Sequence, residues 1–233
     1  MLSPSLVFLS LLLCLIRLYL IIPTPTVDRQ RRRKNTDTCS LAVFLGSGGH
    51  TSEILTLVSA VNFSRYTPRK YIVSEGDHLS VQKAAALELL RFNNASKIDV
   101  SNNEQYTILT IPRARQVHQS LLSTLPSAVL SLVACLYHVV LVPMFFPKGN
   151  KYGFADALLL NGPGTCFVLC IAVYVNKFLG LPAPKIIYVE SFARVQSLSL
   201  SGRLLRPFVD RFIVQWPQLL QDRSRGEYHN WLV

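Results

Sequence analysis

The stretch SLAVFLGSGGHTSEILTLVSAV, residues 40–61, carries the clearest structural pattern in the chain. Residues 40–45 form a short apolar run that is typical of a buried strand, and residues 51–61 have the pattern of a helix. The turn between them contains three glycines, which allow close approach of the backbone to a ligand and positive φ angles. A strand, a glycine-rich turn and a helix in this order predict the start of an α/β sheet.

Further apolar segments predict more strands of the same sheet. They are residues 70–74, 106–111, 156–160, 185–190 and 210–215, and helical patterns such as 79–91 and 166–181 lie between them. Strands that alternate with helices predict a parallel sheet with helices on both faces. We therefore expect residues 39–233 to form one α/β, Rossmann-like domain with six parallel strands.

The N-terminal segment predicts a membrane anchor. Residues 5–22, SLVFLSLLLCLIRLYLII, are apolar apart from serines and Arg17. As a helix they span roughly 27 Å, which suits the bilayer of the endoplasmic reticulum, about 27 Å thick. A cleaved signal peptide is the alternative, but no basic residue precedes the run and no small-residue cleavage site follows it. Arg17 lies toward the C-terminal side, so we expect its side chain to reach the membrane interface.

The basic run DRQRRRK, residues 28–34, predicts the orientation of this anchor. By the positive-inside rule a basic flank stays in the cytosol. The expected order is a short lumenal end at 1–4, a transmembrane helix at 5–22, a basic cytosolic linker at 23–38 and a cytosolic domain at 39–233. A nuclear-localisation-like patch is the other interpretation of the run, and its position next to an apolar segment favours the anchor.

Residues 128–146 are almost continuously apolar and have three interpretations. A second transmembrane helix would place the strands on either side of it on opposite sides of the bilayer, where they could not share a sheet. A helix that packs on the sheet and turns its outer face to the membrane interface avoids this conflict, and we favour it. A fully buried helix is the third interpretation.

The overall composition agrees with contact with an anionic surface. Half of the residues are hydrophobic, the mean hydropathy is +0.31, and the net charge is +11. A basic surface favours anionic lipid, phosphate or nucleic acid. The five cysteines are odd in number and scattered, so we expect reduced thiols and no disulfide framework. No spacing suggests a metal site.

Three loops at the predicted C-terminal ends of strands have unusual composition. They are residues 46–53 (GSGGHTSE), 161–165 (NGPGT) and 190–194 (ESFAR). Ligands of open parallel sheets bind beyond these strand ends, and the N-termini of the following helices favour anions. The first two loops therefore predict a phosphate or diphosphate site, and Thr165 could cap the helix that follows it.

The residue types suggest roles. His50 could act as a general base or phosphate donor, or be merely structural. Glu190 and Arg194 would suit a sugar hydroxyl and a phosphate, or form a local ion pair. A dinucleotide fingerprint would need glycine where Thr51 stands, although Glu75 could mimic the acid that binds a ribose.

The loops also resemble those of a known family. VFLGSGGHTSEI (43–54), LLLNGPGT (158–165), YVESFARVQSLSLSGRLL (188–205) and DRFIVQWPQL (210–219) are similar, in order and spacing, to the membrane-anchor subunit of the UDP-N-acetylglucosamine transferase of dolichol-linked oligosaccharide synthesis. That family resembles the N-terminal, acceptor-binding half of the bacterial murein glycosyltransferase, a two-domain GT-B enzyme. The resemblance implies the N-terminal half of a GT-B fold, with a separate soluble subunit supplying the donor-binding half.

The resemblance implies a reaction and its partners. GlcNAc would pass from UDP-GlcNAc, bound mainly by the soluble catalytic subunit, to GlcNAc-diphospho-dolichol. The two chains would form a heterodimer or a larger assembly on the cytosolic face of the endoplasmic reticulum membrane and the continuous nuclear membrane. Membrane lipid is an expected contact; a nucleic-acid partner, a cofactor and a metal are not expected.

The predicted site combines the resemblance with the loops. His50 and Glu190 are the predicted catalytic residues. The predicted acceptor and diphosphate-binding residues are Gly46, Ser47, Gly48, Gly49, Thr51, Asn161, Gly162, Gly164, Thr165, Ser191 and Arg194. Large apolar residues at a chain end need a surface to dock on, which predicts partner binding by Tyr228, Trp231, Leu232 and Val233, with folding back onto the sheet as the alternative. A pure recruitment scaffold with vestigial loops, a complete glycosyltransferase and a Rossmann-type oxidoreductase are the competing hypotheses.

Overall fold

A seven-stranded parallel sheet organises the chain in the computed structural model. The described residues are 4–23, 38–94, 105–115, 119, 121–145, 153–162, 164–221, 225–229 and 232. The strands are β1 (Leu41–Leu45), β2 (Arg69–Ser74), β3 (Tyr106–Ile111), β4 (Ala157–Leu160), β5 (Lys185–Val189), β6 (Arg211–Val214) and β7 (Glu227–Tyr228). Their spatial order is β3-β2-β1-β4-β5-β6-β7. The predicted parallel sheet is confirmed, but the count of six strands is wrong, because β7 adds a two-residue strand at the edge.

Helices cover both faces of the sheet. The helical elements of the described residues are α1 (Pro4–Ile21), α2 (Gly48–Ser59), α3 (His78–Asn94), α4 (Leu121–Leu136), a π-helical turn (Tyr137–Leu141), α5 (Val142–Phe145), α6 (Thr165–Leu179) and α7 (Leu200–Leu205), with a 3-10 turn at Pro217–Leu220. Helices α2 and α3 pack on one face, against Val43 and its neighbours. Helices α4, α6 and α7 pack on the other, against Phe44. Strand β1 is buried throughout, as expected for a parallel strand covered on both sides.

The order of the strands locates a crevice. Val43 of β1 pairs with Tyr71 of β2 on one side and with Leu159 of β4 on the other. Connections therefore run outward in opposite directions from β1 and β4, and the helices that follow these two strands, α2 and α6, pack on opposite faces of the sheet. In doubly wound sheets this switch point is where ligands bind. The glycine-rich loops at residues 46–49 and 161–162 lie on its two sides.

Helix α4 and its continuation lie against α6 and keep one apolar face exposed. Asn176 of α6 donates its side-chain amide to the backbone oxygen of Val139, 2.9 Å away. The outward side chains are Leu125, Val129, Leu130, Val133, Tyr137, Leu141, Met144 and Phe145. The interpretation of a fully buried helix is therefore wrong. Residues Thr124–Phe145 are long and apolar enough to cross a membrane, but β3 and β4 on either side belong to the same sheet, which argues against a crossing.

Helix α1 is joined to the domain by Arg17. Its guanidinium donates to the backbone oxygens of Lys177 (2.8 Å) and Phe178 (3.1 Å) at the end of α6. These carbonyls lie in the last turn of α6, at the negative end of its dipole, and the oxygen of Lys177 also accepts from the backbone N–H of Gly180 at 3.3 Å. A second link joins Arg225 to the backbone oxygen of Pro23, 2.9 Å away. Arg17 thus has protein partners, where the sequence suggested only extension toward the interface. The predicted basic linker lies largely outside the described residues.

Candidate functional site

The loops after β1 and β4 touch each other in the crevice. Gly162 has φ 127°, in the region that favours glycine. A Cβ atom at this position would lie 3.2 Å from Gly46 Cα and 3.4 Å from Cγ of His50. Any side chain at residue 162 would therefore push the two loops apart. The structure thus brings Gly46, His50 and Gly162 together, as the sequence predicted for one shared site.

A chain of hydrogen bonds crosses the floor of the crevice. Nδ1 of His50 lies 2.7 Å from Oδ1 of Asn161. The Asn161 side-chain amide donates to Oε2 of Glu53 at 2.9 Å, and the hydroxyl of Ser191 donates to Oε1 of Glu53 at 2.8 Å. Asn161 is fully buried. One carboxylate therefore ties together the loops that follow β1, β4 and β5.

Glu53 was not among the predicted site residues, although it lies in the first loop segment. It is one helical turn beyond His50 on α2, and residues at this spacing lie on the same side of a helix. The spacing His50-x-x-Glu53 after a glycine-rich turn was the sequence signal that could have identified it.

The glycine-rich loop presents open backbone to the crevice. Gly48 and Gly49 are exposed, and a Cβ atom on either would meet nothing within 4 Å. Ser47 has φ 68° and ψ 152°, a conformation that non-glycine residues rarely adopt. Its hydroxyl donates to Oδ2 of Asp77 at 2.5 Å. Partial burial opposes ionisation of Asp77, but hydrogen bonds from Ser47 and Ser80 outweigh it and lower the pKa of this carboxyl.

Two predicted binding residues face the protein interior. Thr51 is buried, and its hydroxyl pairs with Ser80 of α3 at 2.7 Å. Thr165 is also buried, and its hydroxyl accepts a hydrogen bond from the backbone N–H of Ala114 at 3.4 Å. Thr165 is the first residue of α6 and Gly164 occupies the cap position without a side-chain cap, so the expected capping role is wrong. Both threonines therefore stabilise the loops from the protein interior and do not face the crevice.

Glu190 is likewise turned inward. It is 1% exposed, and Oε2 accepts hydrogen bonds from the backbone N–H and the hydroxyl of Ser199, at 3.1 and 3.0 Å. Burial raises the pKa of this carboxyl, although the hydrogen bonds from Ser199 oppose the shift. The structure therefore places Glu190 beneath the loop that carries Ser191, while the Arg194 side chain on the same loop is exposed.

The C-terminal residues return toward this loop. Tyr228 lies in the edge strand β7 and is 40% exposed. The backbone N–H of Leu232 donates to Oε1 of Gln215 at 3.4 Å, and the Gln215 amide donates to the backbone oxygen of Glu190 at 3.2 Å. Trp231 and Val233 lie outside the described residues. The described part of the tail therefore lies at the edge of the sheet, beside the end of β6.

Comparisons with known proteins identify relatives of this chain. The family model described as "Oligosaccharide biosynthesis protein Alg14 like" matches residues 41–232. A relative from Cryptococcus neoformans is 46% identical, over 87% of this chain and 84% of its own length. Relatives from Schizosaccharomyces pombe (45%, covering 81% and 80%) and Rattus norvegicus (37%, covering 93% and 90%) are also similar. All three are named UDP-N-acetylglucosamine transferase subunit ALG14.

Among solved structures, Arabidopsis thaliana UGT89C1 complexed with quercetin is similar at 15% identity and a TM-score of 0.41, over 77% of this chain and 44% of that protein. That overlap is too low to support any argument about the site. The family match favours the glycosyltransferase hypothesis over the Rossmann-type oxidoreductase. Because the family model covers nearly the whole domain and the identities exceed a third over most of the chain, this chain belongs to the Alg14 family.

Proposed function

We propose that this chain is the membrane-anchor and acceptor-binding subunit of a two-subunit UDP-N-acetylglucosamine transferase. The complex transfers GlcNAc from UDP-GlcNAc to GlcNAc-diphospho-dolichol, and a soluble partner subunit binds the donor. Membership of the Alg14 family and the names of its relatives support the activity. The described residues form one parallel sheet, which in this proposal supplies one wall of a crevice that the α/β domain of the partner completes.

The observation that carries this proposal is the meeting of two glycine-rich loops at the switch point. The exposed backbone at Gly48 and Gly49 begins α2, and exposed Gly164 precedes α6. Helix N-termini offer free N–H groups and a positive dipole end to anions. Here they would hold the diphosphate of the acceptor. The open space at Gly48 and Gly49 leaves room for the diphosphate to approach the backbone.

His50 would supply the base. Among the residues that the structure describes, its Nε2 atom has no hydrogen-bonding partner, whereas Nδ1 is held by Asn161. The acceptor hydroxyl would give its proton to Nε2 as its oxygen attacks the anomeric carbon of GlcNAc. The bond from that carbon to UDP breaks, and UDP leaves with the electron pair. Glu190, hydrogen-bonded to Ser199 inside the domain, would serve this step by holding the Ser191 loop.

The membrane would hold the chain through α1. In this proposal α1 spans the endoplasmic reticulum membrane with its first residues in the lumen, and the domain lies on the cytosolic face. The exposed apolar face of α4 would rest on the membrane interface. Tyr228 and the residues after it would dock on the donor-binding subunit, because an exposed aromatic side chain at a sheet edge is a common interface anchor.

Reconstitution tests the proposal. The full chain is placed in liposomes that contain GlcNAc-diphospho-dolichol, and transfer from labelled UDP-GlcNAc is measured with and without the soluble subunit. We expect transfer only when both chains are present. At equal amounts of complex, His50→Ala should lower kcat by about 100-fold or more, the usual contribution of a general base. Normal transfer by this variant would reject His50 as the base and would favour the hypothesis that the chain is a pure recruitment scaffold.

A further inference from the structure

Glu53 occupies an unusual place in the crevice. It is partly buried, and each of its carboxylate oxygens accepts one hydrogen bond, from Asn161 at 2.9 Å and from Ser191 at 2.8 Å. These donors come from the loops after two different strands, and Glu53 itself lies on the helix after a third. Its connections lead to His50, which shares α2 with it.

Only one assignment of donors and acceptors is consistent with the contacts among Glu53, Asn161 and His50. An ionised carboxylate only accepts hydrogen bonds, so the Asn161 amide nitrogen must face Glu53. The Asn161 oxygen then faces His50, and an amide oxygen can only accept. Nδ1 of His50 must therefore carry a proton, which leaves Nε2 of the neutral imidazole as the basic atom.

We infer that Glu53 is a positioning residue, which acts through Asn161 to fix the tautomer and the orientation of His50. This inference deepens the proposed function and rests on it. The carboxylate holds the Asn161 amide with its oxygen toward His50, so Nδ1 keeps this hydrogen bond while Nε2 accepts the acceptor proton. A carboxylate that orients a catalytic histidine is a recurring arrangement in enzymes; here a buried amide lies between the two.

The tautomer can be measured without any assay of transfer. The full chain, in complex with its soluble subunit and labelled with ¹⁵N-histidine, is studied by NMR at a pH where the imidazole is neutral, and His50→Ala assigns the signal. We expect the shifts of a ring protonated at Nδ1. A ring protonated at Nε2 overturns the inference, whatever the kinetics show.

Exchanging the carboxylate of Glu53 with the amide of Asn161 tests the direction of these hydrogen bonds. Asn161→Asp alone places two carboxylates in contact and should lower kcat by about tenfold or more. In the double variant Glu53→Gln/Asn161→Asp, the amide of residue 53 can donate to the new carboxylate, which still accepts from His50, and every hydrogen bond is restored. We expect the double variant to recover most of the lost kcat. A double variant no better than Asn161→Asp contradicts the inference.

A second cycle separates positioning from a general loss of structure. Glu53→Gln should lower kcat more than it changes KM for the acceptor, and it should have no further effect in a His50→Ala chain, because residues that act as one unit are not additive. Additive losses, or an equal loss in Ser191→Ala, would show that Glu53 only secures the third loop. The two measurements can also disagree. If the His50→Ala variant transfers normally while NMR of the unmodified chain shows the proton on Nδ1 of His50, then His50 is not the base, but Glu53 and Asn161 still set its tautomer.

Discussion

The guanidinium of Arg17 lies 2.8 Å from the backbone oxygen of Lys177, at the C-terminal end of α6. Helix α6 begins at Thr165, beside the crevice, and its 15 residues extend about 22 Å at 1.5 Å per residue. One helix therefore joins the candidate site to the proposed membrane anchor. The Arg17 contact fixes the position of the end of α1 relative to the domain.

Replacement of Arg17 should loosen this connection while the chain remains in the membrane. Arg17→Leu removes two charged hydrogen bonds and should lower the stability of the domain by about 1–2 kcal/mol. Arg17→Lys keeps the charge but lacks the planar guanidinium, so its stability should lie between those of the unmodified chain and Arg17→Leu. Thermal unfolding of the complex in nanodiscs measures the change. Equal melting temperatures for all three chains would show that the contact contributes nothing.

Substitution at Gly49 tests whether a ligand approaches the first loop. Because a Cβ atom at Gly49 meets nothing within 4 Å, Gly49→Ala should leave folding intact and can even stabilise the helix. Gly49→Val fills more of the same space and should abolish transfer while the soluble subunit still binds. Transfer kinetics and co-purification measure the two effects. Near-normal KM for the acceptor in both variants would show that no ligand touches this position.

The orientation of the anchor can be tested by glycosylation. Asn62-Phe63-Ser64 and Asn94-Ala95-Ser96 are acceptor sequons, and Asn62 is exposed. With the domain in the cytosol neither should carry glycan, so endoglycosidase should leave gel mobility unchanged. A sequon-bearing extension placed before Met1 should be glycosylated and serves as the control. A glycan on Asn62 would reverse the proposed topology.

The outer face of α4 should matter only for an acceptor held in a membrane. Leu130 on α4 and Leu89 on α3 are each 61% exposed, and these helices pack on opposite faces of the sheet. Leu130→Glu should raise KM for liposome-bound acceptor but not for a short-chain, water-soluble analogue. Leu89→Glu is the matched control and should change neither of these two KM values. Equal KM values for Leu130→Glu and the unmodified chain in liposomes would remove α4 from the membrane contact.

The tail can be tested without disturbing the sheet. Deletion of residues 230–233 leaves the β7 pairing to β6 in place and should release the soluble subunit and stop transfer, while the chain stays abundant in the membrane. Tyr228→Ala, which removes one exposed aromatic, should weaken binding to a smaller extent. Pull-down and transfer assays report both. A truncated chain that still binds its partner places the interface elsewhere, and a degraded one favours folding back onto the sheet.

Strong local patterns allowed much of the fold to be predicted. Strand β3 was predicted with its observed ends, and β1 and β2 to within one residue, because each contains a short run of apolar and β-branched residues. Strand β7 was missed because two residues, Glu227 and Tyr228, are too few to show a pattern. The partner of Arg17 was also beyond prediction, since it lies 160 residues away in the sequence.

The site was predicted at the level of loops and less well at the level of side chains. Gly48 and Gly162 have positive φ angles, a backbone requirement that a glycine in the sequence can reveal. The direction of a polar side chain is set by tertiary neighbours, so Thr51 and Glu190 turned inward although their loops are at the crevice. Glu53 was overlooked because it follows the glycines on a regular helix, where charged residues are usually only solvated.

The unusual backbone at Ser47 has a consequence for the timing of loop ordering. A residue in such a conformation costs about 1–3 kcal/mol, and here that cost falls once, when the chain folds and the Ser47 hydroxyl meets Asp77. In the proposed function, the acceptor would then meet a loop whose conformational entropy is already lost, and binding would not have to wait for the loop to become ordered.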